Sequence, residues 1–238
     1  MGLTHAHAVT VASRTLEERT LDIGLPRDRV IYLPNGPGIP LRQVTPAERD
    51  RTRAALTLTD RPTLLLFSRL FEFDTDRLID ILVKVRHEIL NLAVLFVGAR
   101  LYGDDASRFR DRLQAVGLSD VVVDVGWTGL EDLPATLAAG DVGLYLMDDT
   151  LLNRAKCPVK LADMLTAGVP VVGEAVGQVP EYIRDGETGW LRPSGDVEGV
   201  SQAIVDLLRN SGRTVPDGRS GARRYAISLQ LGRAGRTA

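Results

Sequence analysis

NRAKCPVKLADMLTAGVPVVGEAVGQVPE, from Asn153 to Glu181, holds two helix starts and a buried strand in one short run. Pro158 stands at the first helical position, where its missing N–H costs nothing. Lys160 and Asp163, three apart, share one face of the helix that follows. Leu161, Met164 and Leu165 form its apolar stripe, and Gly168 supplies a C-terminal stop. Val169-Pro170-Val171-Val172-Gly173 reads as a short buried strand with proline confined to its start. Gly177-Gln178-Val179-Pro180-Glu181 is a loop entering another helix. Two helix N-termini thus flank one strand end, and helix N-termini attract phosphate.

Outward from this run the alternation is regular. Strand candidates are 63–67, 92–97, 121–125, 142–146, 169–172 and 189–191. Between them lie helical stripes, Leu78, Ile81, Leu82, Val85 and Ile89 in one, Val197, Val200, Ile204, Leu207 and Leu208 in another, the latter capped by Asp196. Continuous apolar strands alternating with amphipathic helices predict an α/β fold, a Rossmann-like, doubly wound parallel sheet covered on both faces. Ligands of such sheets bind beyond the C-terminal strand ends.

Ahead of this region, Ala8-Val9-Thr10-Val11 and Arg29-Val30-Ile31-Tyr32-Leu33 read as strands around a helix that ends near Gly24. Thr15 with Glu18 fits a capping box there, and Ser13 is the alternative cap. Pro34-Asn35-Gly36-Pro37-Gly38 reads as a hinge or linker. This β-α-β unit is too small to bury both its faces. The expected organisation is a remnant and hinge over 1–38, a Rossmann-like domain over 39–210, and a weakly structured tail over 211–238.

The chain of 238 residues, 44% hydrophobic, can bury one full core and part of a second. Its net charge of -2, with both signs mixed, argues against nucleic acid as a partner. No apolar run approaches the ~18 residues of a transmembrane segment, and no secretory signal pattern opens the chain. Peripheral membrane association is not forbidden by any of this. A lone Cys157 leaves no intrachain disulfide and suits a reducing, cytoplasmic setting.

Chemistry is sought at the strand ends. Arg69 follows the first regular strand, with a permanent cation and a fork suited to phosphate oxygens. The competing reading is a surface arginine paired with Glu72 or Asp74. Gly126-Trp127 follows the third, where Trp127 either stacks near a base or packs against the fold. Lys160 could neutralise a diphosphate and Asp163 could accept from ribose hydroxyls; alternatively the two form an i,i+3 ion pair on a solvated face. Arg154 and Lys156 add positive charge to the same loop. Cys157 reads as a small buried residue. His5, His7 and His87 are too scattered for a metal site. Dinucleotide, P-loop and nucleophile-elbow glycine motifs are all absent.

Taken in order, Val11-Ala12-Ser13, Leu33-Pro34-Asn35-Gly36, Ser68-Arg69-Leu70, Phe96-Val97-Gly98, Ala139-Gly140-Asp141-Val142-Gly143, Lys160-Leu161-Ala162-Asp163 and Gly177-Gln178-Val179-Pro180-Glu181 resemble glycosyltransferase family 4. The resemblance covers residues 8–209. It implies a retaining enzyme of GT-B architecture, two Rossmann-like domains, with the donor-binding C-terminal half represented here. A nucleotide-diphosphate sugar is the implied substrate, with no cofactor and no metal. Arg69 and Lys160 would stabilise the leaving diphosphate with backbone N–H groups near Pro158 and Val179, in a loop shared with Gly177 and Gln178. Asp163 would hold the ribose, and Gly126 and Trp127 would lie near the base. Glu181 either joins the site or ties its loop to the protein. A full enzyme would need roughly another 100–200 residues for its acceptor pocket, so the chain reads as a fragment, a truncated product or a split subunit with a separate acceptor-binding partner.

Departures from the family pattern stand beside this. Ala155 replaces the first of two glutamates, Asp163 shortens the second, and Asp74 stands where a lysine often follows the arginine. Truncation, Ala155 and Asp74 favour the alternative of a catalytically incomplete sugar-nucleotide-binding or scaffold module, and the retained Arg69 and Lys160 oppose it.

Overall fold

In the computed structural model, which describes residues 5–98 and 104–210, the chain begins with β1 (Val9–Val11), α1 (Arg14–Asp22) and β2 (Val30–Tyr32). Then come α2 (Pro46–Ala55), β3 (Thr63–Phe67), α3 (Thr75–Glu88), β4 (Ala93–Val97), α4 (Asp104–Ala115) and β5 (Val122–Gly126). They are followed by α5 (Leu133–Ala138), β6 (Val142–Tyr145), α6 (Leu151–Arg154) and α7 (Val159–Thr166). Last are β7 (Val171–Glu174), α8 (Val179–Tyr182), β8 (Gly189–Arg192) and α9 (Val197–Arg209).

The large sheet is parallel, with strand order β5-β4-β3-β6-β7-β8. Every residue of β3 and β4 is buried, because helices cover both faces. Alternate side chains of β3 feed two cores. Leu64 and Leu66 join Leu78, Ile81, Leu82 and Ile204 on one side. Leu65 and Phe67 join Leu161, Met164 and Val171 on the other. The chain winds outward from β3 through β4 to β5, then returns to β6 and winds the other way. Strand order therefore reverses between β3 and β6, and a crevice opens beyond their C-terminal ends.

Details of the local chemistry differ from expectation. Ser13, not Thr15, caps α1, accepting from Leu16 N at 3.1 Å. Pro158 is the cap of α7 and not its first residue, its carbonyl taking Ala162 N at 3.1 Å. The strand expected from Val169 starts at Val171, because Pro170 lacks the N–H that a ladder needs. Asp196 caps α9 as read, accepting from Gly199 N at 2.9 Å.

β1 and β2 form a separate parallel pair over a small cluster of Val11, Leu25 and Val30. The Pro34–Gly38 stretch is not a free hinge but a bound strap. Asn35 N donates to Cys157 Sγ at 3.1 Å, Tyr182 Oη donates to Asn35 O at 3.0 Å, and Ile39 is buried in the second core. The expectation for 211–238 lies outside the described residues.

Candidate functional site

β3 ends in Ser68-Arg69-Leu70, where a left-handed turn sets the direction of the chain. Leu70 has φ 63, uncommon for a residue with a Cβ, and Ser68 Oγ accepts Leu70 N at 2.9 Å to hold it there. Arg69 is thereby exposed at the crevice. It forms no ion pair with Glu72 or Asp74 among the described residues; its guanidinium lies 5.4 Å from the ring centre of Phe71. Asp74 is committed elsewhere, capping α3 by accepting Asp76 N at 2.9 Å.

On the β6 side the loop into α7 brings two lysines to the same place. Lys156 Nζ is 4.8 Å from the Phe71 ring, and Lys160 Nζ is 5.6 Å from that of Phe67. Burial lowers the Lys160 pKa; Arg69 and Lys156 push it the same way, while Glu72 and Asp163 oppose them. The three cations therefore share one field. Lys160 Nζ and Lys156 Nζ are buried with no hydrogen-bond partner among the described residues. No side chain caps the first turn of α7, which adds uncapped backbone N–H groups to the same spot. Unbonded buried ammonium groups are costly without an anion. Positive charge is thus concentrated at this end of the crevice.

Several residues expected in the site serve the fold instead. Asp163 is buried and accepts Gly38 N at 2.6 Å and Ile39 N at 3.1 Å through Oδ1, so the carboxylate read as a ribose ligand holds the strap. Burial raises its pKa against the pull of those two N–H groups and of Lys160. Gly177, φ 54, makes room for the backbone of Arg154, since a Cβ there would sit 2.7 Å from Arg154 Cα. Val179 N is spent on Val176 O at 3.1 Å, so it offers no N–H to a ligand. Pro158 has no N–H, and the Val159 N–H beside it goes to Cys157 O at 3.0 Å. Gln178 donates from Nε2 to Tyr32 Oη, which in turn donates to Glu181 Oε2 at 2.6 Å. Of the two readings of Glu181, tying its loop to the protein is the one realised. Arg14 completes this junction, its guanidinium 3.6 Å above the Tyr32 ring. Arg154 pairs with Asp149, Nη2 to Oδ2 at 2.7 Å, on the surface.

Gly126 adopts φ 61 at the end of β5, and Trp127 beyond it is 77% exposed. Packing against the fold is thus not its role. β5 lies two strands from β3, about 10 Å at usual spacing, a span comparable with a nucleoside.

Two features were not foreseen from the sequence. Phe71, 59% exposed, is the apolar plate on which Arg69 and Lys156 rest. Below the crevice, Glu174 at the end of β7 is fully buried. It accepts Met147 N, Gly195 N and Arg77 Nη2 at 2.7, 2.7 and 2.9 Å, while Arg77 also reaches Asp148 at 2.7 Å. Burial pushes the Glu174 carboxyl up; those N–H groups and Arg77 pull it back. Glu174 could have been noticed as a carboxylate inside an apolar strand, but its partners are remote in sequence.

Comparison with known proteins fits this geometry. The profile of the family described as Glycosyl transferases group 1 matches residues 61–210. A GDP-mannose-dependent alpha-(1-6)-phosphatidylinositol monomannoside mannosyltransferase of Mycolicibacterium smegmatis is 30% identical over 227 residues, 93% of this chain and 58% of that protein. Its counterpart in Mycobacterium tuberculosis is 27% identical over 218 residues, 90% of this chain and 55% of that protein. The chain thus spans little more than half the length of these relatives. Among solved structures, Anabaena HepE in complex with UDP-glucose superposes with a TM-score of 0.70 at 20% identity, covering 95% of this chain and 64% of that one. WaaG, a glycosyltransferase involved in lipopolysaccharide biosynthesis, gives 0.74 at 21%, covering 94% and 61%. The shared fold is that of the GT-B glycosyltransferases.

Proposed function

Because this chain belongs to the group 1 glycosyl transferases, we propose that it binds a nucleotide-diphosphate sugar in the crevice between β3 and β6 and supplies the donor side of a sugar transfer with retention. The observation that carries this is the meeting of Arg69, Lys156 and Lys160 at the topological switch point, with two ammonium groups buried and unbonded. As the bond from the anomeric carbon to the diphosphate breaks, its electron pair leaves with the phosphate oxygen. Arg69 and Lys160 meet that growing charge where water is partly excluded, so the leaving group departs more easily. Retention places the acceptor oxygen on the face the diphosphate vacates, and its proton passes to the departing phosphate. The uncapped N–H groups of α7 take over the part first read for Val179. Trp127, largely exposed beyond β5, forms the base side, and the residue types present supply the charge without a metal.

GDP is the first base to test, since the relatives spanning most of this chain are named for GDP-mannose, with UDP as the comparison. The acceptor pocket is assigned to a separate domain or subunit, and the work to the cytoplasm, with peripheral membrane contact compatible. Among the described residues no helix is long and apolar enough to cross a membrane. A donor-binding module without transfer activity of its own is the second reading. It is favoured by the engagement of Asp163 and Glu181 with the chain's own N-terminal segment. Calorimetric titration with GDP and UDP tests the donor site. Saturable binding to either, weakened at least tenfold by Arg69→Ala, is expected; no binding to either, or no effect of the substitution, contradicts it.

A further inference from the structure

Glu72 stands among these cations with no part yet assigned. Its main chain is clamped, the carbonyl accepting Asp148 N at 3.0 Å and Asn153 Nδ2 at 2.7 Å, so only the side chain can swing. Its Oε1 lies 3.9 Å from Lys156 Nζ, within ion-pair reach but too far for a hydrogen bond. Its Oε2 is buried and has no hydrogen-bond partner among the described residues, the same condition as Lys156 Nζ and Lys160 Nζ. Glu72 and Lys160 both line a small cavity, whose wall also includes Phe67, Ser68 and Tyr145. A buried acceptor and two buried donors thus lie close together without bonding. Native structures seldom leave such groups unsatisfied unless something else is meant to bond them.

Building on the donor site proposed above, we propose that Glu72 is a displaceable counter-ion. Its carboxylate holds the place of an anion beside Lys156 and Lys160 in the unliganded protein, and a diphosphate binds by driving it aside. The lysines are thereby held in position before the donor arrives. A ligand must outbid one carboxylate, so a diphosphate succeeds where a singly charged anion does not. Glu72 is in this sense a positioning and selectivity residue, not a catalytic one.

The test is titration of the full chain with inorganic pyrophosphate, inorganic phosphate, UDP and GDP, for the wild type, Glu72→Gln and Glu72→Asp. Glu72→Gln should bind pyrophosphate on the order of tenfold tighter, since a like charge has gone, and should narrow the preference for pyrophosphate over phosphate. Its unliganded melting temperature should fall, because two buried ammonium groups lose their counter-ion. Glu72→Asp, which retracts the charge by one methylene, should show a smaller gain of the same sign, and it decides the matter should Glu72→Gln not fold. A residue that only braces the lysines would give the opposite result, weaker pyrophosphate binding in both variants, and that overturns the inference. UDP or GDP binding to the wild type with no gain in either variant overturns it alone. A pyrophosphate gain without any nucleotide binding upholds the counter-ion and removes the donor reading. No binding of any probe to any variant removes both.

Discussion

Asp163 on α7 accepts the backbone N–H of Gly38 at 2.6 Å, fastening the segment after β2 to the helix that carries Lys160. A second bond to the same oxygen, from Ile39 N at 3.1 Å, doubles the fastening and seats Ile39 in the core. Hydrogen bonds to a charged acceptor contribute about 1.5–3 kcal/mol each, and orphaned donors cost as much. Asp163→Ala should therefore lose about 2–3 kcal/mol of unfolding free energy. Asp163→Asn keeps the acceptor and sheds the burial cost of a charge, so it should stay within about 1 kcal/mol of the wild type. Urea denaturation of both variants checks the contrast, which equal losses would contradict.

Arg77 and Glu174 join α3 to the end of β7 beneath the crevice. Glu174 is fully buried, so removing its cation strands a charge in the core. Arg77→Met should cost about 3–5 kcal/mol, and adding Glu174→Gln to it should recover part of that loss. A double-mutant cycle reads the coupling. Strict additivity would show that the pair does not act as a unit.

Much of this was legible in the sequence. Continuous apolar runs such as Leu64-Leu65-Leu66-Phe67, alternating with amphipathic segments, fit strands covered on both sides, and α3 and α9 show their buried stripes at helical spacing. That Arg69 and Lys160 lie near one another follows from the winding, because β3 and β6, the strands that precede them, are neighbours in the sheet. Asp163, Gln178 and Glu181 were not, since their partners, Gly38, Tyr32 and Arg14, lie more than a hundred positions away. Local spacing tells which face a residue occupies and not what arrives to cover it. Phe71 was hidden for a related reason: an exposed aromatic gains meaning only when two cations come to rest on it.

Gly177 touches the backbone of Arg154 where α8 meets α6, at a φ of 54. A Cβ there would meet main-chain atoms, which cannot rotate away. Gly177→Ala should destabilise by about 1–3 kcal/mol through backbone strain and displacement, measured by thermal melting. Gly195→Ala serves as the control, because φ is positive there but no atom lies within 4 Å. It should cost less. Equal losses would show that conformation alone, and not the contact with Arg154, sets the requirement.

Burial lowers the Lys160 pKa from its ordinary 10.5. Between the lowered folded value and the ordinary one, the unfolded chain binds the proton and the folded chain does not. Stability from this group therefore rises as pH rises through that window, while below it the full penalty applies. Urea melts of the wild type and Lys160→Met at rising alkaline pH should show the wild type gaining relative to the variant. A bound anion reverses the effect by favouring the charged ammonium, so saturating pyrophosphate should flatten the trend. A difference independent of pH would contradict the burial of this charge.

A crystal structure of the protein with GDP or UDP bound decides where the donor sits. The diphosphate should lie between Arg69 and Lys160 beyond the ends of β3 and β6, with the base toward Trp127. A nucleotide bound at another face, or a crevice left empty in crystals grown at saturating nucleotide, would contradict this placement.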